Sequence, residues 1–163
     1  MRLAAIVAVL TVLCAPPAGA DDGRLTWPLR PRPAVLRAFD APSPNWQRGH
    51  RGVDLAAAPG QPVFSAGQGT VVYAGDLAGR PVVSVAHPGG LRTSYEPVLA
   101  TVRRGQLVAE GSPLGEVVAG HDGCPAPACL HWGAMWGPAA NADYVDPLGL
   151  LTTTPIRLKP LHG

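Results

Sequence analysis

The sequence predicts an all-β fold, a small antiparallel β-sandwich or barrel-like sheet core, and three observations carry that expectation. The 163 residues include 20 Gly and 19 Pro, and beyond residue 20 no stretch free of both exceeds eight residues, Ala34 to Ala41 and Ala139 to Asp146. Helices are distinguished by lengths of about 10 or more residues, so a helical bundle, a coiled coil and a Rossmann-type alternation are excluded. Short runs rich in β-branched and aromatic residues recur between the breakers, at the spacing of a sandwich or barrel. The length accommodates one compact domain.

In chain order, residues 1–20 read as an address rather than as structure. Arg2 precedes an apolar stretch from Leu3 to Cys14, and Ala18-Gly19-Ala20 supplies a small-x-small site, the pattern of a secretory signal peptide cleaved after Ala20. The 12-residue stretch is short of the roughly 20 needed to span a bilayer, so no transmembrane anchor is expected after processing. Lipid attachment through Cys14 is the alternative, although Leu13 stands where such a motif has a small residue. Export to an extracytoplasmic space is therefore expected.

Residues 21–44 form a Pro- and Arg-rich arm, with Trp27-Pro28 and Val35 to Phe39 as its pairing segments. Residues 45–151 carry the domain. Its expected strands are Pro62–Ala66, Thr70–Ala74, Pro81–Ala86, Leu91–Val98, Gln106–Ala109, Leu114–Ala119 and Cys129–Met135, and Asp143–Leu151 is expected to close in a helical turn. Residues 152–163 are a tail. Net charge is +2, Lys159 is the single lysine, and no basic run exceeds Arg103-Arg104; the electrostatic footprint of a nucleic-acid binder is missing.

Chemistry is concentrated in few residues. In Gly49-His50-Arg51-Gly52-Val53-Asp54-Leu55 the two glycines disfavour helix and permit a bend, while His50 and Asp54, four apart, share a face of an extended chain. An imidazole and a carboxylate are good zinc ligands, but a catalytic site needs a third and leaves the fourth position to water. A surface histidine beside a turn-capping aspartate is the alternative. Cys129-Leu130-His131-Trp132-Gly133 offers the third ligand in His131, with Cys129 on the same side by strand alternation; a core histidine held by a carbonyl is the alternative. His87 precedes Pro88-Gly89-Gly90 and is expected to order that turn, and His162 carries no argument. Cys124 and Cys129, the two cysteines of the processed chain, enclose Pro125-Ala126-Pro127-Ala128; in an oxidising compartment they are expected to form a disulfide. The rival is a Cys129 thiolate joining His50, Asp54 and His131 in a closed structural site.

These residues resemble a family. Gly49 to Leu55 looks like the HxxxD element of lysostaphin-type, LytM-like zinc peptidases that cut peptidoglycan peptides, and Cys129 to His131 falls at that family's HxH. Between them, Gly69-Thr70-Val71-Val72, Val83, His87, Gly90, Thr93-Ser94-Tyr95, Val102, Gly105, Val108, Gly111 and Leu114-Gly115 follow the family's order, and Gly120-His121-Asp122-Gly123 stands where it has a Gly-x-Thr-Gly turn. The resemblance covers about Trp27 to Leu151. It implies a sheet core with a groove, a Zn2+ ion held by His50, Asp54 and His131, and an attacking water.

Two positions depart from the family. The YxH histidine falls at Pro97 and the first HxH histidine at Cys129, so the two expected proton handlers are replaced. Glu96, one residue off register, is expected to point away from the groove. His121 is the candidate replacement, with an exposed loop histidine as the alternative. The expected function is an exported zinc metalloendopeptidase acting on peptidoglycan stem or cross-bridge peptides, weak for want of those histidines. Its alternative is a zinc-holding module of the same fold that binds peptidoglycan or activates another cell-wall hydrolase.

Overall fold

The computed structural model describes residues 24–44, 47–138 and 141–151; the expected signal peptide, Cys14, the tail and His162 lie outside them. Two open antiparallel sheets make the fold, β1 (Val35–Arg37), β2 (Gly52–Ala57), β3 (Pro62–Phe64), β4 (Gly69–Leu77), β5 (Arg80–Ala86), β6 (Leu91–Glu96), β7 (Val98–Ala100), β8 (Leu107–Val108), β9 (Pro113–Val117), β10 (Ala128–Trp136) and β11 (Asp143–Val145). The large sheet runs β1-β2-β10-β6-β5-β4-β8, with β11 also on β10, and the small one runs β3-β9-β7. It is an all-β sandwich whose main sheet does not close into a barrel. Among the described residues no helix is long and apolar enough to cross a membrane.

Alternation sorts the large sheet into two faces. Val53 and Leu55 of β2, Leu130 and Trp132 of β10, Tyr95 of β6 and Val83 and Val85 of β5 are buried against Val63, Val98, Leu114 and Val117 of the small sheet. The intervening residues, Asp54, His131, Glu96 and Ser84 among them, therefore face the other way. Trp27 of the arm packs near Trp132, ring centroids 6.3 Å apart.

Several elements differ from expectation. Gly52–Ala57, absent from the expected strands, is a strand between β1 and β10. Leu91–Val98 is broken at Pro97 into β6 and β7, since a proline cannot donate to a ladder. The closing segment is β11 followed by a 3-10 turn, Pro147–Leu150, capped by Asp146, which accepts from the Leu148 N–H. Trp27-Pro28 forms no strand, but the arm is tied in by Thr26 N–H to the Ala66 carbonyl and Phe64 N–H to the Pro28 carbonyl. His87 does more than order its own turn. Its Nδ1 donates to the Gln68 carbonyl at 2.7 Å and its Nε2 lies 2.8 Å from Thr93 Oγ1, joining the chain before β4 to β6.

Gly52 is required for space. A Cβ there would lie 2.5 Å from the Trp132 carbonyl oxygen and 2.6 Å from His131 Nε2, so Gly52→Ala forces β2 and β10 apart or displaces the imidazole. The substitution is expected to lower stability by about 1–3 kcal/mol; a denaturant midpoint equal to that of the parent protein would show that the two strands separate without cost.

Candidate active site

Backbone pairing assembles the site. In the β2–β10 ladder Asp54 stands opposite His131, and in the β10–β6 ladder His131 stands opposite Glu96. Arg37 of β1 is opposite Asp54 on the other side, so one rung crosses four strands with these side chains on the open face. His50 precedes β2. It is held by a two-way bridge to the arm, His50 N–H to the Asp40 carbonyl at 2.7 Å and Asp40 N–H to the His50 carbonyl at 2.8 Å.

Three ligand-type atoms converge there. Asp54 Oδ1 is 2.9 Å from both His50 Nε2 and His131 Nδ1, and the two nitrogens are 3.0 Å apart. His50 Nδ1 lies 2.7 Å from the Ala38 carbonyl oxygen. A carbonyl only accepts, so Nδ1 carries the hydrogen and, in the neutral ring, Nε2 turns a lone pair toward the carboxylate. That lone pair and the carboxylate repel unless a proton or a cation lies between them. Two imidazoles and a carboxylate are a donor set suited to zinc, whose ligands lie roughly 3.3 Å apart at tetrahedral angles and bonds of about 2 Å. His50, Asp54 and His131 thus form a group able to hold a metal ion.

Burial is the largest influence on the Asp54 carboxyl and pushes its pKa up. The hydrogen bond with His131 and the charges of His121, His50 and His131 act the other way, and together they hold it below its ordinary value. The carboxylate is the form that a cation requires.

His121 reaches this cluster. Its Nε2 is 3.4 Å from Asp54 Oδ1, its ring stacks on that of His131 with centroids 6.1 Å apart, and its side chain is 14% exposed, which is not the exposed loop histidine of the alternative. Its Nδ1 is buried with no hydrogen-bond partner among the described residues.

Cys129 does not join the cluster as a thiolate. It is bonded to Cys124, which removes the rival four-ligand reading. Glu96 corrects the expectation that it points away: it lines the groove and pairs with Arg80 at 3.4 Å. The physical reason is Tyr95, whose ring belongs to the core and whose hydroxyl accepts from the Ala66 N–H; this sets β6 so that Glu96 faces outward, and Pro97 ends the strand before alternation returns.

A groove of about 890 Å³ runs over the site, lined by Arg37, Arg51 and Tyr144 on the β2 side, by Leu77 to Arg80 at the β4–β5 hairpin, and by Ser84, Ser94, Pro97 and His121. Arg37, the Ala38 carbonyl and the hairpin tip carry no local signal in the sequence. Each depends on which strand lies beside β2 or β6, information that chain order alone does not contain.

The comparisons with known proteins agree with this geometry. Residues 48–147 match the description Peptidase family M23. An uncharacterized protein of Mycobacterium tuberculosis is 71% identical over 153 residues, which are 94% of this chain and 61% of that protein; the chain therefore spans about three fifths of that relative. Helicobacter pylori Csd3 superposes with a TM-score of 0.63 at 28% identity, over 86% of this chain and 37% of that one. A zinc-containing peptidase from Vibrio cholerae gives a TM-score of 0.55 at 25% identity, over 68% and 36%. With the matched segment covering more than half of its length, the chain belongs to peptidase family M23, the family of lysostaphin- and LytM-type peptidases.

Proposed function

We propose that this chain is an exported cell-wall zinc metalloendopeptidase, hydrolysing peptide bonds in peptidoglycan stem or cross-bridge peptides. The observation that carries the proposal is the convergence of His50 Nε2, Asp54 Oδ1 and His131 Nδ1 within 2.9–3.0 Å, with His50 and His131 lining an open groove. Members of peptidase family M23 are zinc metallopeptidases. Export rests on the signal-peptide pattern of residues 1–20.

His50, Asp54 and His131 would hold the ion. Bound there, zinc supplies Lewis acidity for a scissile carbonyl and lowers the pKa of water to about 7. The chain does the rest. The Ala38 carbonyl fixes the His50 tautomer, and Asp54 is kept as the carboxylate. His121, on the groove wall and 3.4 Å from Asp54, is the side chain that exchanges a proton with groove water at Nε2. Glu96 is drawn instead to Arg80.

A second reading has its own observation. At the family's two histidine positions, Cys129 is fully buried in a disulfide and Pro97 has no ionisable group. The second reading is a zinc-holding module that binds peptidoglycan or activates another cell-wall hydrolase.

Metal analysis of the purified protein should give one zinc per chain, and His131→Ala should lose it on dialysis; a variant that keeps stoichiometric zinc would overturn the ligand assignment. Peptide release from purified peptidoglycan should be slow, should stop on chelation and should be absent in His50→Ala. Zinc-loaded protein that releases nothing would favour the non-catalytic module. For His121→Ala, the rate should drop by about 10²-fold, the lower end for loss of an acid–base group, with zinc still at one per chain. An unchanged rate would remove His121 from the mechanism.

A further inference from the structure

Three arginines line the groove, and they differ in what holds them. Arg80 pairs with Glu96. Arg51 donates from Nη2 to the Gln47 carbonyl at 2.8 Å and lies over the Tyr144 ring, 5.7 Å from its centroid. The Arg37 side chain has no hydrogen bond, ion pair or ring contact among the described residues.

Register decides where Arg37 stands. It is opposite Asp54, which is opposite His131, and neighbouring strands lie about 4.8 Å apart. The Arg37 backbone is thus one strand from one ligand and two from the other, roughly 5 and 10 Å, and its side chain forms part of the groove wall. Of the acids in and beneath the groove, Glu96 is engaged by Arg80, Asp54 by the imidazoles, and Asp122 forms no ion pair with Arg37 among the described residues. A guanidinium is always charged, only donates, and matches a carboxylate with two parallel N–H bonds. An extended peptide advances about 3.3 Å per residue, so a group bound by Arg37 lies about two or three residues from the bond over the metal site.

We propose that the groove takes an anionic peptide and that Arg37 binds its carboxylate, making Arg37 the residue that sets substrate preference. The inference rests on the peptidase reading above and adds the substrate's charge. The carboxylate belongs either to an acidic side chain or to the peptide's own terminus. Both present the same chemistry to Arg37, and the test separates them.

The test uses the zinc-loaded full chain and one synthetic stem peptide in three forms: free acid, terminal carboxamide, and side-chain carboxamide. Affinity is read by titration calorimetry, with cleavage followed by mass spectrometry on the same samples. One of the two amides should bind about tenfold more weakly than the free acid, the scale of a lost charge-assisted pair, and its identity names the source of the carboxylate. In Arg37→Gln the preference should shrink to within about twofold, and Arg37→Lys should keep part of it. Circular dichroism and zinc content establish that both variants are folded. Equal affinities for all three forms, no binding of any form, or a preference that survives Arg37→Gln would overturn the proposal and leave Arg37 as a charge guarding an open sheet edge. Failure of the peptidase reading looks different: the peptides bind with the stated preference and are never cut.

Discussion

The pairing of β2 with β10 is the constraint on which the site depends. Asp54 meets His131 because Val53 and Leu55, on the other face, must be buried with Leu130 and Trp132. A slip of one residue would turn those four toward water and both Asp54 and His131 into the core. Burying a large apolar side chain is worth about 1.5–3 kcal/mol, so the apolar face fixes the register firmly enough to hold two imidazole nitrogens and a carboxylate oxygen at 2.9–3.0 Å. Polar groups that crowd each other on one face are held there by packing on the opposite one.

His50 answers to a different constraint. It lies outside β2 and is positioned by the arm, through the Asp40 bridge and the Ala38 carbonyl. Both arm residues precede the 48–147 segment that matches the family. A Cβ on Gly49 would run into the Asp40 carbonyl oxygen and the Pro42 ring, so this glycine admits the arm as Gly52 admits His131. The glycines flanking His50 therefore serve close packing on either side rather than the bend their presence suggested.

Much of this was legible in the sequence, for physical reasons that differ by residue. Gly and Pro spacing reported the β fold because breakers exclude helices wherever they fall. That His50, Asp54 and His131 come together could be expected because a candidate metal site needs particular atoms in a local pattern, and HxxxD with a strand-borne histidine is such a pattern. Glu96 was misplaced because alternation was counted from a family position, whereas the buried Tyr95 ring sets which way β6 faces. Gly52–Ala57 was hidden because a strand carrying Gly52 and Asp54 has weak intrinsic β preference and is formed by its partners β1 and β10. Arg37 was unreadable for the same reason: its importance is that it stands beside Asp54, a residue 17 positions later in the chain.

Cys129 and His121 belong to one argument. At position 129 the groove face carries half of a disulfide where the family has an imidazole, and the other half, Cys124, is on the loop that bears His121. The Cys124 N–H donates to the His121 carbonyl at 3.2 Å, and Gly120 and Gly123 on either side adopt positive φ, 108° and 73°, so the segment turns tightly between its covalent anchor and β9. An untied surface loop of this composition would open at little cost in free energy; this one is fastened to the strand that carries His131. The bond that takes a proton handler away from position 129 is thus also what holds another imidazole 3.4 Å from Asp54. Restoring histidine at 129 would remove that fastening, so the two arrangements are alternatives for bringing one imidazole to the face that carries Asp54 and His131.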